Sequence, residues 1–206
     1  MSPPRRVAEQ ADLEAIAETL ARAFERYPVW QWAFEPEPDR ASRLAGMRAV
    51  FGFCAGAALA CGWVRVSDGV EAVALWIPPG EAEMSPADAE RFPALVRASV
   101  GTEQTADRIL AAMEAFERTQ PTGPPHYFLD MLGTHPDHAG HGYGRALLGA
   151  NLEEIDAAGA PAFLETSSPA NIPRYERLGF RVEREVDLLA GLSTTQMWRP
   201  PGGAPT

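Results

Sequence analysis

The sequence predicts an α/β fold: a single domain with a mixed, mainly antiparallel sheet flanked by helices. Three observations predict it. Long stretches of the first half carry apolar residues at helical spacing, interrupted by one strand pair. The second half alternates short β-rich runs with helical segments. Between a strand and a helix of that half stands a Gly-rich turn, Gly140 to Gly144. The length, 206 residues, suits one domain spanning residues 1–206. A content of 46% hydrophobic and 22% charged residues is normal for a globular chain and argues against disorder.

The elements follow in order. Arg5 to Ala8 is a short extended start. Asp12 is placed to cap a helix from Leu13 to Arg26, with Leu13, Ile16, Leu20 and Phe24 on one face. Pro28 breaks the chain, and Tyr27 to Phe34 holds four aromatic residues in eight. Core packing is one reading of these aromatics. The other is a ligand-pocket wall carrying Tyr27, Trp30 and Trp32. Ala41 to Ala60 reads as a buried helix, and Trp63–Val66 with Val70–Ile77 as a hairpin across Ser67-Asp68-Gly69. Pro86–Arg97 and Glu103–Arg118 read as amphipathic helices, and Gln120 to Pro125, with three prolines in six, as a rigid connection. Tyr127–Thr134 is a strand, Tyr143–Ala158 a helix and Pro161–Thr166 a strand. Asn171–Leu178 is a short helix stopped by Gly179. Phe180–Val186 and Thr194–Trp198 complete the sheet, and 200–206 reads as a disordered tail.

Charge narrows the function. The formal net charge is −10, and every basic side chain is Arg because the chain has no Lys. Such a surface repels phosphate backbones, so nucleic acid is not an expected partner; cationic amines are. No apolar run is long enough to span a bilayer, since Val50 to Gly62 is short and flanked by Arg48 and Arg65. The N-terminus does not read as a signal peptide, so a cytoplasmic protein with no membrane partner is expected. Cys54 and Cys61 read as buried small hydrophobes, too few for a disulfide framework. His135, His138 and His141 lie on a turn, where their spacing does not converge three rings, so no metal is expected.

The chemistry concentrates in the run from Leu132 to Leu148. Helix-start N–H groups are unpaired, the helix dipole adds positive charge there, and Gly permits close approach. A strand entering such a turn makes a pyrophosphate cradle. A tight turn without function has the same glycines. A dinucleotide loop fits weakly, because the third small residue is missing after Gly140-x-Gly142 and after Gly142-x-Gly144, although Glu165 stands about 20 residues on. A Walker loop fails for want of a Lys.

Thr134, Pro136, Gly140, Gly142 and Gly144 fall in register with the V-x-P-x-x-(R/Q)-G-x-G-x-(G/A) run of the GNAT acetyltransferases, which this stretch resembles. Ala139 stands at the usual Arg/Gln position. Asn171, Tyr175, Glu176, Gly179 and Phe180 resemble the family's N-x-x-x-Y-E-x-x-G-F ending. The runs around Ala162–Thr166, Ala23–Pro28 and Val73–Trp76 also resemble the puromycin N-acetyltransferase branch of that family. The resemblance covers most of the chain and is loose in the middle helices. It implies acetyl-CoA as co-substrate. Its pyrophosphate would lie on Ala139, Gly140, His141, Gly142, Tyr143, Gly144 and Arg145, its pantetheine along Leu132, Gly133 and Thr134, with Asn171 nearby. It implies Tyr175 as proton donor to the leaving thiolate.

The activity then expected is N-acetyl transfer to a primary amine of a small molecule by direct attack, puromycin-like or another antibiotic amine among the candidates. Asp130 and Glu165 are the candidate bases, and each has an alternative reading as a structural carboxylate. The competing functions are acetylation of a protein N-terminus or Lys, and a non-catalytic acyl-CoA sensor. A monomer or homodimer is expected.

Overall fold

The structure, a computed structural model, describes residues 5–60 and 62–203. Seven strands form one sheet: β1 (Arg5–Val7), β2 (Val64–Ser67), β3 (Ala72–Ile77), β4 (Tyr127–Thr134), β5 (Ala162–Thr166), β6 (Arg181–Leu189) and β7 (Leu192–Arg199). Their spatial order is β1-β2-β3-β4-β5-β7-β6. Only β4 and β5 run parallel; every other pair is antiparallel. The helices are α1 (Leu13–Phe24), α2 (Pro28–Ala33), α3 (Arg40–Leu59), α4 (Pro86–Ser99), α5 (Glu103–Thr119), α6 (Tyr143–Ala157) and α7 (Ile172–Glu176). The expected mixed, mainly antiparallel sheet with flanking helices is what forms.

Apolar side chains cover both faces of the sheet, so β3 is buried at every position. On one face Val73, Leu75 and Met131 pack with Ile16 and Leu20 of α1, Phe51 and Ala55 of α3, and Ile109 of α5. On the other, Ala72, Ala74, Trp76 and Leu129 pack with Leu148, Leu152 and Ile155 of α6. Trp76 Nε1 donates to Asn151 Oδ1 at 3.0 Å, which pins α6 to the sheet through two buried side chains.

Two departures from regular pairing build the site. First, β3 and β4 slip register: Leu75 faces Met131 and Trp76 faces Leu129, so Asp130 is an extra, bulged residue. A one-residue insertion exchanges the faces of everything beyond it. Leu129 accordingly lies with α6, whereas Met131, two residues on, joins the opposite core. Second, β4 and β5 pair only at Tyr127–Leu129 with Ala162–Leu164. Beyond Leu129 and Leu164 the strands part, β4 staying with β3 and β5 with β7.

Several sequence expectations need correction. Asp12 does not cap α1. Its carboxylate takes both Arg6 Nη groups at 2.6 and 2.8 Å and the Glu9 N–H at 2.8 Å, closing a 3-10 turn ahead of the helix. Helix α1 stops at Phe24, two residues short of Arg26. Pro28 starts α2 at its first turn, where the missing N–H costs nothing. The hairpin's second strand begins at Ala72, because Val70 adopts a left-handed φ of 59°. Its carbonyl accepts from buried Thr19 Oγ1 at 2.8 Å. Asn171 ends a 3-10 turn rather than starting the helix. Residues 200–203 are tied down: the Gly202 N–H donates to Asp156 Oδ1 at 2.8 Å and Arg199 Nη2 to the Gly203 carbonyl at 2.8 Å. The remaining tail residues, and Cys61, lie outside the described residues. Cys54 is buried as expected.

Candidate active site

The parted strands open a cleft of about 600 Å³. One side is β4, the other the end of β5 with α7, and α1, α2 and α5 close the bottom. The alternation of an antiparallel pair decides which β4 groups are free. The His135 N–H bonds the Glu71 carbonyl at 2.8 Å, and the register then gives Gly133 and Met131 to β3. Leu132 and Thr134 therefore turn their N–H and C=O groups toward the cleft.

At the mouth, the chain turns from β4 into α6 through Gly140 and Gly142, with φ of 82° and 83°. L-residues rarely adopt this region, and Gly adopts it freely. A Cβ at either glycine would meet no protein atom within 4 Å, so both face open space. A Cβ at Gly144 would stand 2.6 Å from Thr134 Oγ1. That glycine lets the first turn of α6 lie against β4. The N–H groups of Tyr143, Gly144 and Arg145 open α6 without a protein acceptor among the described residues. Arg145 and, across the mouth, Arg174 add positive charge to the lining.

The floor has the opposite charge. Asp130, Glu165 and Glu83 all line it. The bulge aims Asp130 away from α6. Burial first, then the charges of Glu83 and Glu165, hold its carboxyl well above the usual range. Glu165 follows Leu164, the last residue of β5 paired with β4. Both its carboxylate oxygens are buried and unpartnered among the described residues. Burial lifts its pKa to about 7, with Glu83 adding to the rise and Gln196 and Thr119 moderating it. Tyr175 faces the cleft from α7, edge-on to Phe180 at 6.0 Å. Burial, reinforced by Tyr27, pushes its phenol above the ordinary value, so it stays protonated.

Of the residues singled out from the sequence, the structure brings Asp130, Leu132, Gly133, Thr134, Ala139, Gly140, Gly142, Tyr143, Gly144, Arg145, Glu165, Asn171 and Tyr175 into this one cleft, with Tyr27 and Trp30. Two do not join it. His141 turns its ring Nδ1 back to the Ala139 carbonyl, and its N–H is spent on the His138 carbonyl. Trp32 points to the other side of α2, where the Arg108 guanidinium lies over its ring at 5.1 Å. Tyr27 does more than line the wall. Its hydroxyl donates to Thr166 Oγ1 at 3.3 Å and accepts the Ser167 N–H at 2.5 Å, fastening the α1–α2 turn to the end of β5. Glu83 was not singled out. It lies in a loop, Gly80 to Ser85, whose local pattern carries no sign of a site.

A family model of the acetyltransferase (GNAT) family matches residues 70–180, more than half of the chain. The chain belongs to that family. It is an acetyl-transferring enzyme. The matched segment contains β3, the bulged β4, the Gly turn and Tyr175.

Solved structures agree over nearly the whole length. An acetyltransferase of Corynebacterium glutamicum, described as histone acetyltransferase HPA2 and related acetyltransferase, is 26% identical with a TM-score of 0.69. The match covers 98% of this chain and 97% of that one. Arylalkylamine N-acetyltransferase 2 of Aedes aegypti has a TM-score of 0.60 at 10% identity, covering 97% and 99%. An N-acetyltransferase of Staphylococcus aureus has 0.59 at 14%, covering 94% and 98%. The last two show a shared fold. Among the described residues of this acetyltransferase, no helix is long and apolar enough to cross a membrane.

Proposed function

We propose that this enzyme moves the acetyl group of acetyl-CoA to the primary amine of a small molecule with an apolar body. The observation that supports it best is the polarity of one cleft, with free N–H groups and two Arg at the mouth and three carboxylates at the floor. Anion and ammonium are thereby drawn to opposite ends.

The chain's groups fit acetyl-CoA. Unpaired N–H groups at the start of α6, glycines facing open space and Arg145 suit a pyrophosphate. The free β4 edge at Leu132 and Thr134 suits the amides of a pantetheine arm. The absence of an Arg or Gln at Ala139 leaves this cradle mostly backbone. When bound, acetyl-CoA supplies a thioester for the amine to attack. Glu165, poised near neutrality, takes the proton that leaves the ammonium, and Asp130 beside it shares that charge. Tyr175 gives its phenolic proton to the departing thiolate. One N–C bond forms and one C–S bond breaks; of the two protons the ammonium sheds in becoming an amide, one goes to Glu165 and the other restores the Tyr175 phenol after it has protonated the thiolate. The Cys54 thiol is buried and pushed up by that burial, so Cys54 is not an activated acyl carrier.

Aromatic and aliphatic side chains, among them Phe24, Trp30, Phe116 and Phe128, surround the floor. They suit the apolar body of a small acceptor, including a puromycin-like amine. The test is acetyl-CoA-dependent thiol release with puromycin, arylalkylamines, diamines, amino-acid amides and short peptides. Turnover with small amines above the amine-free rate is expected. Turnover with peptides alone would move the acceptor to protein amines. Tight acetyl-CoA binding with no turnover would make the chain an acyl-CoA sensor.

A further inference from the structure

A second cavity of about 670 Å³ opens beyond the floor of the cleft. It lies between the β3–α4 loop, α4, α5 and the 120–126 connection. Glu83, Met113, Gln120 and Phe128 line both spaces and form the partition between them. The charged lining of this outer chamber is one-sided. Glu81, Glu83, Glu114 and Glu117 face it, and no Arg is among its lining residues. The Arg side chains nearest in sequence are engaged elsewhere. Arg118 reaches the Leu188 carbonyl, and Arg108 pairs with Glu35 at 2.7 Å. The rest of the chamber is apolar, with Met84, Phe92 and Leu110 among its walls.

Glu83 connects the two spaces electrically as well as sterically. Burial and the charge of Glu117 push its carboxyl up. Its own charge in turn raises Asp130 and Glu165 on the cleft side. Its one hydrogen bond among the described residues is a long one, from Gln120 Nε2 at 3.5 Å. Across the partition, both Glu165 oxygens are buried without a partner among the described residues. Carboxylates facing one another in a half-dry cavity repel one another, and Arg184, which moderates Glu165, gives its Nε hydrogen bond to Gln196 Oε1 at 2.7 Å rather than to a carboxylate. A ligand carrying two cations removes that cost at both ends. A monoamine relieves only one.

We propose that Glu83 and Glu117 bind the second ammonium of an α,ω-diamine whose first amine reacts beside Asp130 and Glu165. This rests on the amine-acetylating reading above and names its acceptor class. The apolar wall shared by the two chambers, Met113 and Phe128, receives the methylene chain. The distal cation holds the acceptor in register without taking part in proton transfer, so Glu83 and Glu117 are specificity residues.

The test uses the full chain with cadaverine and hexylamine, isosteres that differ by one ammonium for one methyl. Calorimetry should show cadaverine binding about tenfold more tightly, which is about 1.4 kcal/mol. Glu117 lies on the exposed rim of the chamber, so Glu117→Gln removes its charge at a solvent-facing position. This change should cut the cadaverine-to-hexylamine ratio about threefold, and Glu83→Gln with Glu117→Gln should bring the ratio to about one. Equal affinities in the wild type, no cadaverine binding, or a ratio indifferent to both changes overturns the proposal. Acetylation measured on the same samples separates the two readings. A diamine preference in binding with neither amine acetylated sinks the transfer reading, while the distal-ammonium site at Glu83 and Glu117 stands. Equal acetylation of both amines does the reverse.

Discussion

Replacing Glu165 by Gln is expected to change how stability depends on pH. The folded protein holds this carboxyl at about 7 against a reference of 4.5. Between those values the native state binds a proton that the unfolded state has released. A raised carboxyl pKa therefore makes the wild type lose stability as pH rises through this window. The gap, about 2.5 pK units, corresponds to about 3 kcal/mol at 1.36 kcal/mol per unit. From about pH 5 to about pH 8 the recoverable part is roughly 2 to 3 kcal/mol. Glu165→Gln removes this titration together with the charge that Glu165 places on Asp130, and leaves a constant cost for its buried amide, which cancels when the two pH values are subtracted. Urea unfolding of both proteins at the two pH values gives this double difference. In melting temperature it amounts to roughly 4 to 12 °C at this chain length. Parallel pH dependences of wild type and variant would refute the burial argument, and with it the assignment of Glu165 as a base poised near neutrality.

The remaining predictions concern the mouth and the acid. Tyr175→Phe should lower kcat about a hundredfold while leaving acetyl-CoA affinity unchanged, because only the proton donor is lost; unchanged turnover in steady-state assays would remove that role. Gly142→Ala and Gly159→Ala both place a Cβ at positive φ with no protein atom within 4 Å. Each should cost about 1–3 kcal/mol of backbone strain in denaturation. Only Gly142→Ala should also weaken acetyl-CoA binding by calorimetry, and equal affinities would displace the cradle. Gly144→Ala should destabilise by about 1–3 kcal/mol, through its 2.6 Å approach to Thr134 Oγ1. Thr134→Ala in the same chain should restore part of that loss; strict additivity would show that the two residues do not collide.

The sequence shows those parts of the fold that depend on local chemistry. The strand Tyr127–Thr134 and the helix that begins at Tyr143 stand where apolar alternation and the glycine spacing put them. The cradle could be read because its parts are adjacent in the chain. The bulge at Asp130 could not, since it arises from pairing with β3, and no residue type marks it. It nevertheless decides which face Asp130 and Met131 take. Trp32 was misplaced for a related reason. The aromatic run suggested a wall, but α2 presents Trp30 and Trp32 to different sides, and Arg108 of α5 provides a separate partner for Trp32. Glu83 was missed altogether. Its loop joins the floor only where it meets Met113 of α5, Asp130 of β4 and Glu165 of β5, residues 30 or more positions away in sequence. The acceptor side is therefore the part of the site that needs the structure.

The pH profile of kcat/KM for the best amine of the panel, at saturating acetyl-CoA, tests the whole account most directly. The account predicts acetyl transfer whose rate rises with pH through an apparent pKa near 7. That limb should vanish in Glu165→Gln. The cluster of Glu83, Asp130 and Glu165 titrates together, so the value belongs to the group. A flat profile, or a limb that survives in the variant, would contradict the claim that the buried carboxylates at the floor of the cleft take the proton from the amine.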